Sequence, residues 1–211
     1  VETLHVREAV IGHRRNCDED RAHRVADGLA LSSFPTAQPK AVPAKDQPPS
    51  PPLQIIGKMK DTLKGRAVGI LFHEGSDAAA IRTLRKAAES AGATVKLVCL
   101  KVGGAKLGDG RHQPADGQLA GTPSVVFDAV ALVLSDDAGK LLAKEAAAVD
   151  FVRDAFGHLK AIAADAGAQA VLKAGGIRKD AGVVDASDTA GFIKAAKTRQ
   201  WAREAKLRTL A

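Results

Sequence analysis

The stretch from His158 to Ile177 reads HLKAIAADAGAQAVLKAGGI. A short apolar run ends at Asp165, Ala166 and Gly167, and helix-forming residues follow, so the stretch is predicted to form a strand, a sharp turn and a helix. In many α/β enzymes such a turn, the nucleophile elbow, holds a Cys or Ser nucleophile at its apex. Here the apex carries a carboxylate and a methyl group. The sequence therefore predicts an active-site architecture that has lost its nucleophile.

Apolar runs and amphipathic segments alternate on both sides of this stretch. The alternation predicts an α/β fold with a flavodoxin-like, doubly wound parallel sheet covered by helices on both faces. The segment 101–124 is rich in Gly, Asp, Gln and Pro and predicts an irregular excursion with one short hairpin. Further strands are predicted at Ala67 to Phe72, Thr94 to Leu100, Val130 to Leu134 and Gly182 to Val184. Helices are predicted between Ser76 and Gly92 and at Lys140 to Phe156. A final helix is predicted after Asp188, which would be its N-cap.

Polar residues follow two of the predicted strands, at the edge where a doubly wound sheet places its sites. His73, Glu74 and Ser76 follow the first strand, and Ser135 and Asp136 follow the third. We expect these five residues to line any pocket beside the turn.

His73 and Glu74 could form an acid–base cluster with Asp165, but no nucleophile accompanies them. We favour the alternative that water or backbone groups satisfy these loop residues, and we predict no catalytic residue and no metal site. Cys99 lies inside the second predicted strand, where a buried thiol is inert.

Two segments precede the main domain, which is predicted at residues 66–211. Residues 1–31 predict two short helices, the second with capping-box spacing at Asn16 and Glu19. Residues 32–65 contain seven of the nine prolines and predict an extended linker. Short helices are marginal in water, so the helix pair must pack on the main domain or on a partner.

The composition excludes several classes of protein. No apolar run approaches a membrane span of about 18 residues, so we expect no membrane interaction. The net charge is +7, but six basic and two acidic residues lie in the last 24 positions, which indicates a basic tail. Nucleic-acid modules usually interleave stacking aromatics with such charges, and this chain has no Tyr and one Trp, so we expect no specific nucleic-acid binding.

Two cysteines are too few for a disulfide framework, and no basic flank followed by an apolar run opens the chain at Val1. We therefore expect no signal peptide, and we place the protein in the cytoplasm.

Three pieces of the chain, taken in order, carry a resemblance to a known family. They are VETLHVREAVIGHRRNCDEDRAHRVADGLAL at 1–31, GTPSVVFDAV at 121–130 and HLKAIA at 158–163, with the Pro-rich segment after the first. The main domain resembles the class I glutamine amidotransferase-like superfamily. The whole chain is similar to the C-terminal domain of large-subunit haem catalases, together with the end of the helical region before it.

The resemblance implies that the catalytic residues of the active superfamily members are replaced in this chain. Aligned through Ala174 and Gly175, the nucleophilic cysteine of active superfamily members falls at Asp165 and the neighbouring histidine at Ala166. Gly167 matches their glycine. The acidic residue after the first strand falls in the run at 78–80, which is Ala throughout.

The resemblance also implies a haem cofactor and partners, but outside this chain. The catalases hold haem by a tyrosine phenolate, and this chain has no Tyr, so we expect no cofactor here and haem in the parent protein. The implied partners are a catalase core and the sister subunits of a homotetramer.

Three hypotheses for function remain open at this point. The first is a non-catalytic accessory domain of a catalase that decomposes hydrogen peroxide, contributing to subunit stability, assembly or channel access. The second is a free-standing hydrolase or glyoxalase-like enzyme that uses Asp165 or His73. The third is a chaperone-like binding module that captures unfolding proteins through the linker and exposed sheet edges.

Overall fold

The computed structural model describes residues 2–43, 45, 47–55 and 57–207. It divides into two compact units, Val1–Gln54 and Ile55–Ala211. Across these described ranges, no helix combines the length and the apolar character needed to cross a membrane.

The first unit is a helix pair, α1 (Leu4–Arg14) and α2 (Glu19–Gly28). Ile11, Ala22 and Ala26 are buried between the helices. The predicted capping box at Asn16 is wrong, because Asp18 is the N-cap of α2 and accepts a hydrogen bond from the N–H of Arg21 at 2.9 Å. Asp and Asn are both good N-caps, so the sequence pattern could not choose between two candidates that lie two positions apart.

The start of the Pro-rich segment packs on this helix pair. The Phe34 ring stacks on His23 with 3.6 Å between ring centroids, and the Arg15 guanidinium lies 4.4 Å from the Phe34 centroid. The N–H of Gln38 donates to the carbonyl of Gly12 at 3.0 Å. A Cβ at Gly12 would lie 2.7 Å from the Thr36 carbonyl oxygen, so glycine permits this close approach. Farther along, Pro51–Leu53 forms one turn of 3₁₀ helix.

The second unit is built on a six-stranded sheet. Its strands are β1 (Ala67–Phe72), β2 (Thr94–Cys99), β5 (Gly117–Gln118), β6 (Ala129–Val133), β7 (Ala161–Ala164) and β8 (Val183–Asp185), and a separate hairpin joins β3 (Ala105–Lys106) to β4 (His112–Gln113). The order is β5-β2-β1-β6-β7-β8, and every neighbouring pair is parallel. The five longer strands thus follow the flavodoxin-like order, which confirms the predicted fold class. The hairpin expected within 101–124 is also present.

Helices cover both faces of the sheet. They are α3 (Ala78–Ser90), α4 (Asp136–Leu142), α5 (Ala146–Gly157), α6 (Gln169–Ala174) and α7 (Thr189–Ala196). A short helical turn, α8 (Glu204–Leu207), follows them. Alternate residues of β1 separate the two cores: Ile70 and Phe72 pack with α3 and α7, whereas Leu71 packs with α4, α5 and α6. Both faces are therefore dry, as the apolar strand sequences require.

The helix predicted at Lys140 to Phe156 is wrong in its bounds, because the chain forms α4 and α5 instead. Ser135 caps α4, and the chain turns after it, where the N–H of Glu145 donates to the carbonyl of Leu142 at 3.0 Å. Ala, Lys and Glu at 143–147 are good helix formers, so propensity alone could not locate the break. The break allows α4 to pack on the turn after β7.

Candidate functional site

Asp165 forms the apex of the turn between β7 and α6, and its carboxylate faces the backbone. Oδ2 accepts from the N–H of Leu134 at 2.8 Å, and Oδ1 accepts from the N–H of Ala168 at 2.9 Å. Burial raises the pKa of this carboxyl, and these two N–H groups oppose the shift. Both oxygens therefore act as hydrogen-bond acceptors: Oδ2 ties the turn to the residue after β6, and Oδ1 closes the turn on itself.

The rest of the elbow is closely packed. A Cβ at Gly167 would meet the Leu134 carbonyl oxygen and would lie 2.8 Å from the carbonyl carbon of Ser135. A Cβ at Gly139, on α4, would meet the carbonyl oxygen of Gly167. Only glycine fits at both positions, so the turn lies directly against β6 and α4. Ala166, where the resemblance places the histidine of active relatives, is exposed.

The loop after β1 is tied to β6 by two hydroxyl groups. The Ser76 side chain is fully buried, and its Oγ donates to the carbonyl of Val133 at 2.7 Å and accepts from the N–H of His73 at 2.9 Å. Ser135 Oγ donates to the carbonyl of Glu74 at 2.8 Å and accepts from the N–H of Ala138 at 3.3 Å. Both hydroxyls are hydrogen-bonded to backbone carbonyl and N–H groups. They are therefore poorly placed to act as nucleophiles.

The titratable residues expected at this edge do not form a relay. Burial lowers the pKa of the His73 imidazole, although the charge of Glu74 opposes the shift, and Nδ1 is buried without a hydrogen-bond partner. Glu74 Oε2 accepts from the N–H of Lys106 at 3.2 Å, and Asp136 is exposed in the first turn of α4. In the part of the chain that the structure describes, no hydrogen bond or ion pair joins the side chains of His73, Glu74 and Asp165.

Cys99 lies at the end of β2 and is buried, as expected. Burial raises the pKa of its thiol, so the thiol stays protonated near neutral pH. A protonated, buried thiol is a poor nucleophile.

A buried charged cluster lies at the amino end of β7, at the opposite end of that strand from the elbow. The sequence analysis did not predict it. Arg203 is 3% exposed, donates to both carboxylate oxygens of Asp180 at 2.5 and 2.8 Å, and donates to the carbonyl of Lys160 at 2.6 Å. Its guanidinium lies 4.3 Å from the centroid of the Phe156 ring.

Lys160 is also 3% exposed, and its Nζ donates to the carbonyls of Ser124 and Val125 at 2.7 and 3.1 Å. Burial lowers its pKa to about 8, and the charge of Arg199 adds to the shift. A lysine directly before an apolar strand was the available signal for this cluster.

A cleft of about 360 Å³ lies beside the elbow, between α6 and β8. Among its lining residues are Lys173, Lys179 and Asp185, which sequence reasoning did not select. Within the described residues, no group of three or more His, Cys, Asp or Glu side chains is arranged to hold a metal ion.

Comparison with known proteins agrees with the resemblance. A family described as the C-terminal domain found in long catalases matches residues 64–200. Catalase C of Rhizobium meliloti is 38% identical over 211 residues, which cover 97% of this chain and 30% of that protein. Catalase HPII of Pseudomonas aeruginosa is 29% identical over 204 residues, covering 92% of this chain and 28% of that protein. Catalase HPII of Mycobacterium avium is 30% identical over 177 residues, covering 83% of this chain and 24% of that protein.

The chain thus spans less than a third of the length of each of these relatives. The family match covers well over half of the chain, and it includes the whole sheet and the elbow. The chain therefore belongs to the family of C-terminal domains found in long catalases.

Proposed function

We propose that this chain is a non-catalytic accessory domain of a large-subunit catalase, and that it contributes to subunit stability, assembly or channel access. The parent protein would decompose hydrogen peroxide to water and oxygen in the cytoplasm. The observation that carries the proposal is the elbow at Asp165, where both carboxylate oxygens accept backbone N–H groups. Among the residues that the structure describes, no general base is hydrogen-bonded to this side chain.

The same geometry weighs against a free-standing hydrolase. A nucleophile needs an adjacent base and an open approach for the substrate. Gly167 packs against the end of β6, and Ser76 and Ser135 are hydrogen-bonded to backbone carbonyls. We therefore propose that Asp165, Ala166 and Gly167 are a vestigial elbow with a structural role.

Haem belongs, in this proposal, to the part of the parent protein outside this chain. The family resemblance implies a tyrosine phenolate as the haem ligand, and the chain contains no Tyr. The side chains of this chain do not include the ligand that haem would need. No catalytic step is therefore assigned to the residues of this chain. The proposed partners are the catalase core and the sister subunits of a homotetramer.

The test uses the full-length protein to which the chain belongs, with and without residues 64–211. We expect both forms to turn over peroxide at a similar rate per haem while the tetramer is intact. The shortened form should lose its tetramer or its activity sooner on heating or in urea. Equal resistance of the two forms would overturn the accessory role.

A second measurement uses Asp165→Ala in the full-length protein. Because the proposal gives Asp165 a structural role, peroxide turnover per haem should be unchanged at moderate temperature. A large loss of turnover in a correctly assembled Asp165→Ala tetramer would contradict a non-catalytic elbow. Exposed Asp150→Ala, on α5, is the matched control.

A further inference from the structure

The cleft between α6 and β8, called here the α6–β8 cleft, is the strongest unexplained feature of the molecule. Three of the apolar side chains that line it, buried Leu172 and Val183 and half-buried Ile177, are called here its floor. Its volume of about 360 Å³ lies within the range of small-molecule sites, which hold about 300–1,000 Å³. It lies at the carboxyl ends of β7 and β8, away from the point between β1 and β6 where the strand order reverses.

The rim of the cleft carries two lysine side chains. Lys173 lies in the last turn of α6, and Lys179 lies in the connection from α6 to β8; both are exposed. Among the described residues, the ion pairs involve other basic side chains, so neither ammonium is within ion-pair distance of a carboxylate. Two cations without an ion-pair partner thus border an apolar floor.

Among the described residues that line the cleft, Asp185 is the one acidic residue. Its Oδ1 accepts from Ser187 Oγ at 2.6 Å and from the N–H of Ser187 at 2.8 Å. The Ser187 hydrogen bonds lower the pKa of Asp185, and the charge of Lys179 adds to the shift. Asp185 is therefore ionised at neutral pH and bound to its own loop, and the side chains lining the cleft carry one net positive charge.

We propose that the α6–β8 cleft binds a small monocarboxylate with a short apolar chain. The carboxylate would lie between Lys173 and Lys179, and the apolar chain would cover the floor. A single negative charge matches the net charge of the lining, whereas Asp185 would repel a second one. Inorganic phosphate would satisfy the lysines but would leave the apolar floor exposed to water.

The experiment titrates the 211-residue chain with hexanoate and follows the backbone amide NMR shifts. Hexanoate should shift the amides of residues 169–185 in a saturable manner. Hexan-1-ol has the same chain without the charge, and acetate has the charge without the chain. Hexan-1-ol should bind about tenfold more weakly, because it loses both lysine contacts. Acetate should lose more than about tenfold, because it lacks four methylene groups that hexanoate would bury in the cleft.

Two variants and a control complete the test. Lys173→Gln and Lys179→Gln should each weaken hexanoate binding about threefold, which is the size of one exposed ion pair. Lys86→Gln, on the exposed face of α3, should leave binding unchanged. The proposal is overturned if hexanoate shifts no amide in this region, if hexan-1-ol binds equally well, or if all three variants behave alike. These outcomes do not depend on the proposed accessory role, which concerns the assembled catalase.

Discussion

Replacing Asp165 should destabilise the larger unit, because its carboxylate is the acceptor for two backbone N–H groups. Those groups belong to Leu134, which is 4% exposed, and Ala168, which is 0% exposed. Each buried donor left without a partner costs about 1–3 kcal/mol. Removing the carboxylate also removes its burial cost, so we expect Asp165→Ala to lose about 2–4 kcal/mol of unfolding free energy.

Asp165→Asn removes one of the two acceptor oxygens, so it tests the two hydrogen bonds individually. The amide keeps one acceptor oxygen and directs its NH₂ group toward the other N–H, so about half of the Asp165→Ala loss should remain. With a urea m-value of about 2 kcal/mol/M, Asp165→Ala should lower the urea midpoint by about 1.5 M. Urea unfolding followed by circular dichroism measures both variants. A midpoint within the range of the Asp150→Ala control would refute the structural role of Asp165.

The pH dependence gives a second readout of the same residue. Burial raises the pKa of Asp165 in the folded state above its ordinary value of 3.8. Folding therefore favours the protonated carboxyl, and this contribution is present below pH 3.8 and is lost as the pH rises through the folded pKa. The difference in stability between the wild type and Asp165→Asn should be larger near about pH 4 than near about pH 7. The opposite trend would contradict the burial of this carboxyl.

Three further predictions concern other buried contacts, and urea unfolding tests each. Arg203→Met should cost about 2–3 kcal/mol because it leaves Asp180 without its cation, and the loss should shrink in an Asp180→Asn background. Lys160 has a folded pKa of about 8 against 10.5 when exposed, so stability should rise by about 1.5–3 kcal/mol between these pH values and should not rise in Lys160→Met. Gly69→Ala would place a Cβ 2.5 Å from the Phe127 ring and should cost about 1–3 kcal/mol, part of which Phe127→Leu should restore.

Each of these three predictions has a clear contrary result. Equal losses for Arg203→Met in both backgrounds would mean that the pair contributes nothing. A pH profile that is the same in Lys160→Met and in the wild type would show that another group titrates. A stable Gly69→Ala chain with an unmoved Phe127 would contradict the close approach of this ring to β1.

Local patterns predicted most of the fold. The buried strands appear as apolar runs such as Ala67 to Phe72, and Gly92 ends α3 with a φ of +94°, which glycine adopts without strain. Asp188 caps α7 by accepting from the N–H of Gly191 at 2.9 Å, as expected. These features depend on residues close together in the chain, so they can be inferred from the sequence alone.

The partners of the site residues could not be inferred in the same way. Asp165 and Leu134 are 31 positions apart, and Ser76 and Val133 are 57 apart. The α6–β8 cleft likewise depends on how α6 packs beside β8. Such contacts form only when parallel strands bring distant loops to one edge of the sheet, and single-residue propensities contain no information about them.

The sequence alone determined that the chain is α/β, that it lacks a Cys or Ser at the elbow, and that it has no Tyr to bind haem. These conclusions follow from residue identity and from periodicity, which are properties of the chain itself. Only the tertiary structure decided that both oxygens of Asp165 bind backbone N–H groups, that Lys160 and Arg203 are buried, and that two lysines border an apolar cleft. The physical reason is that hydrogen-bond partners and burial depend on which distant segments pack together.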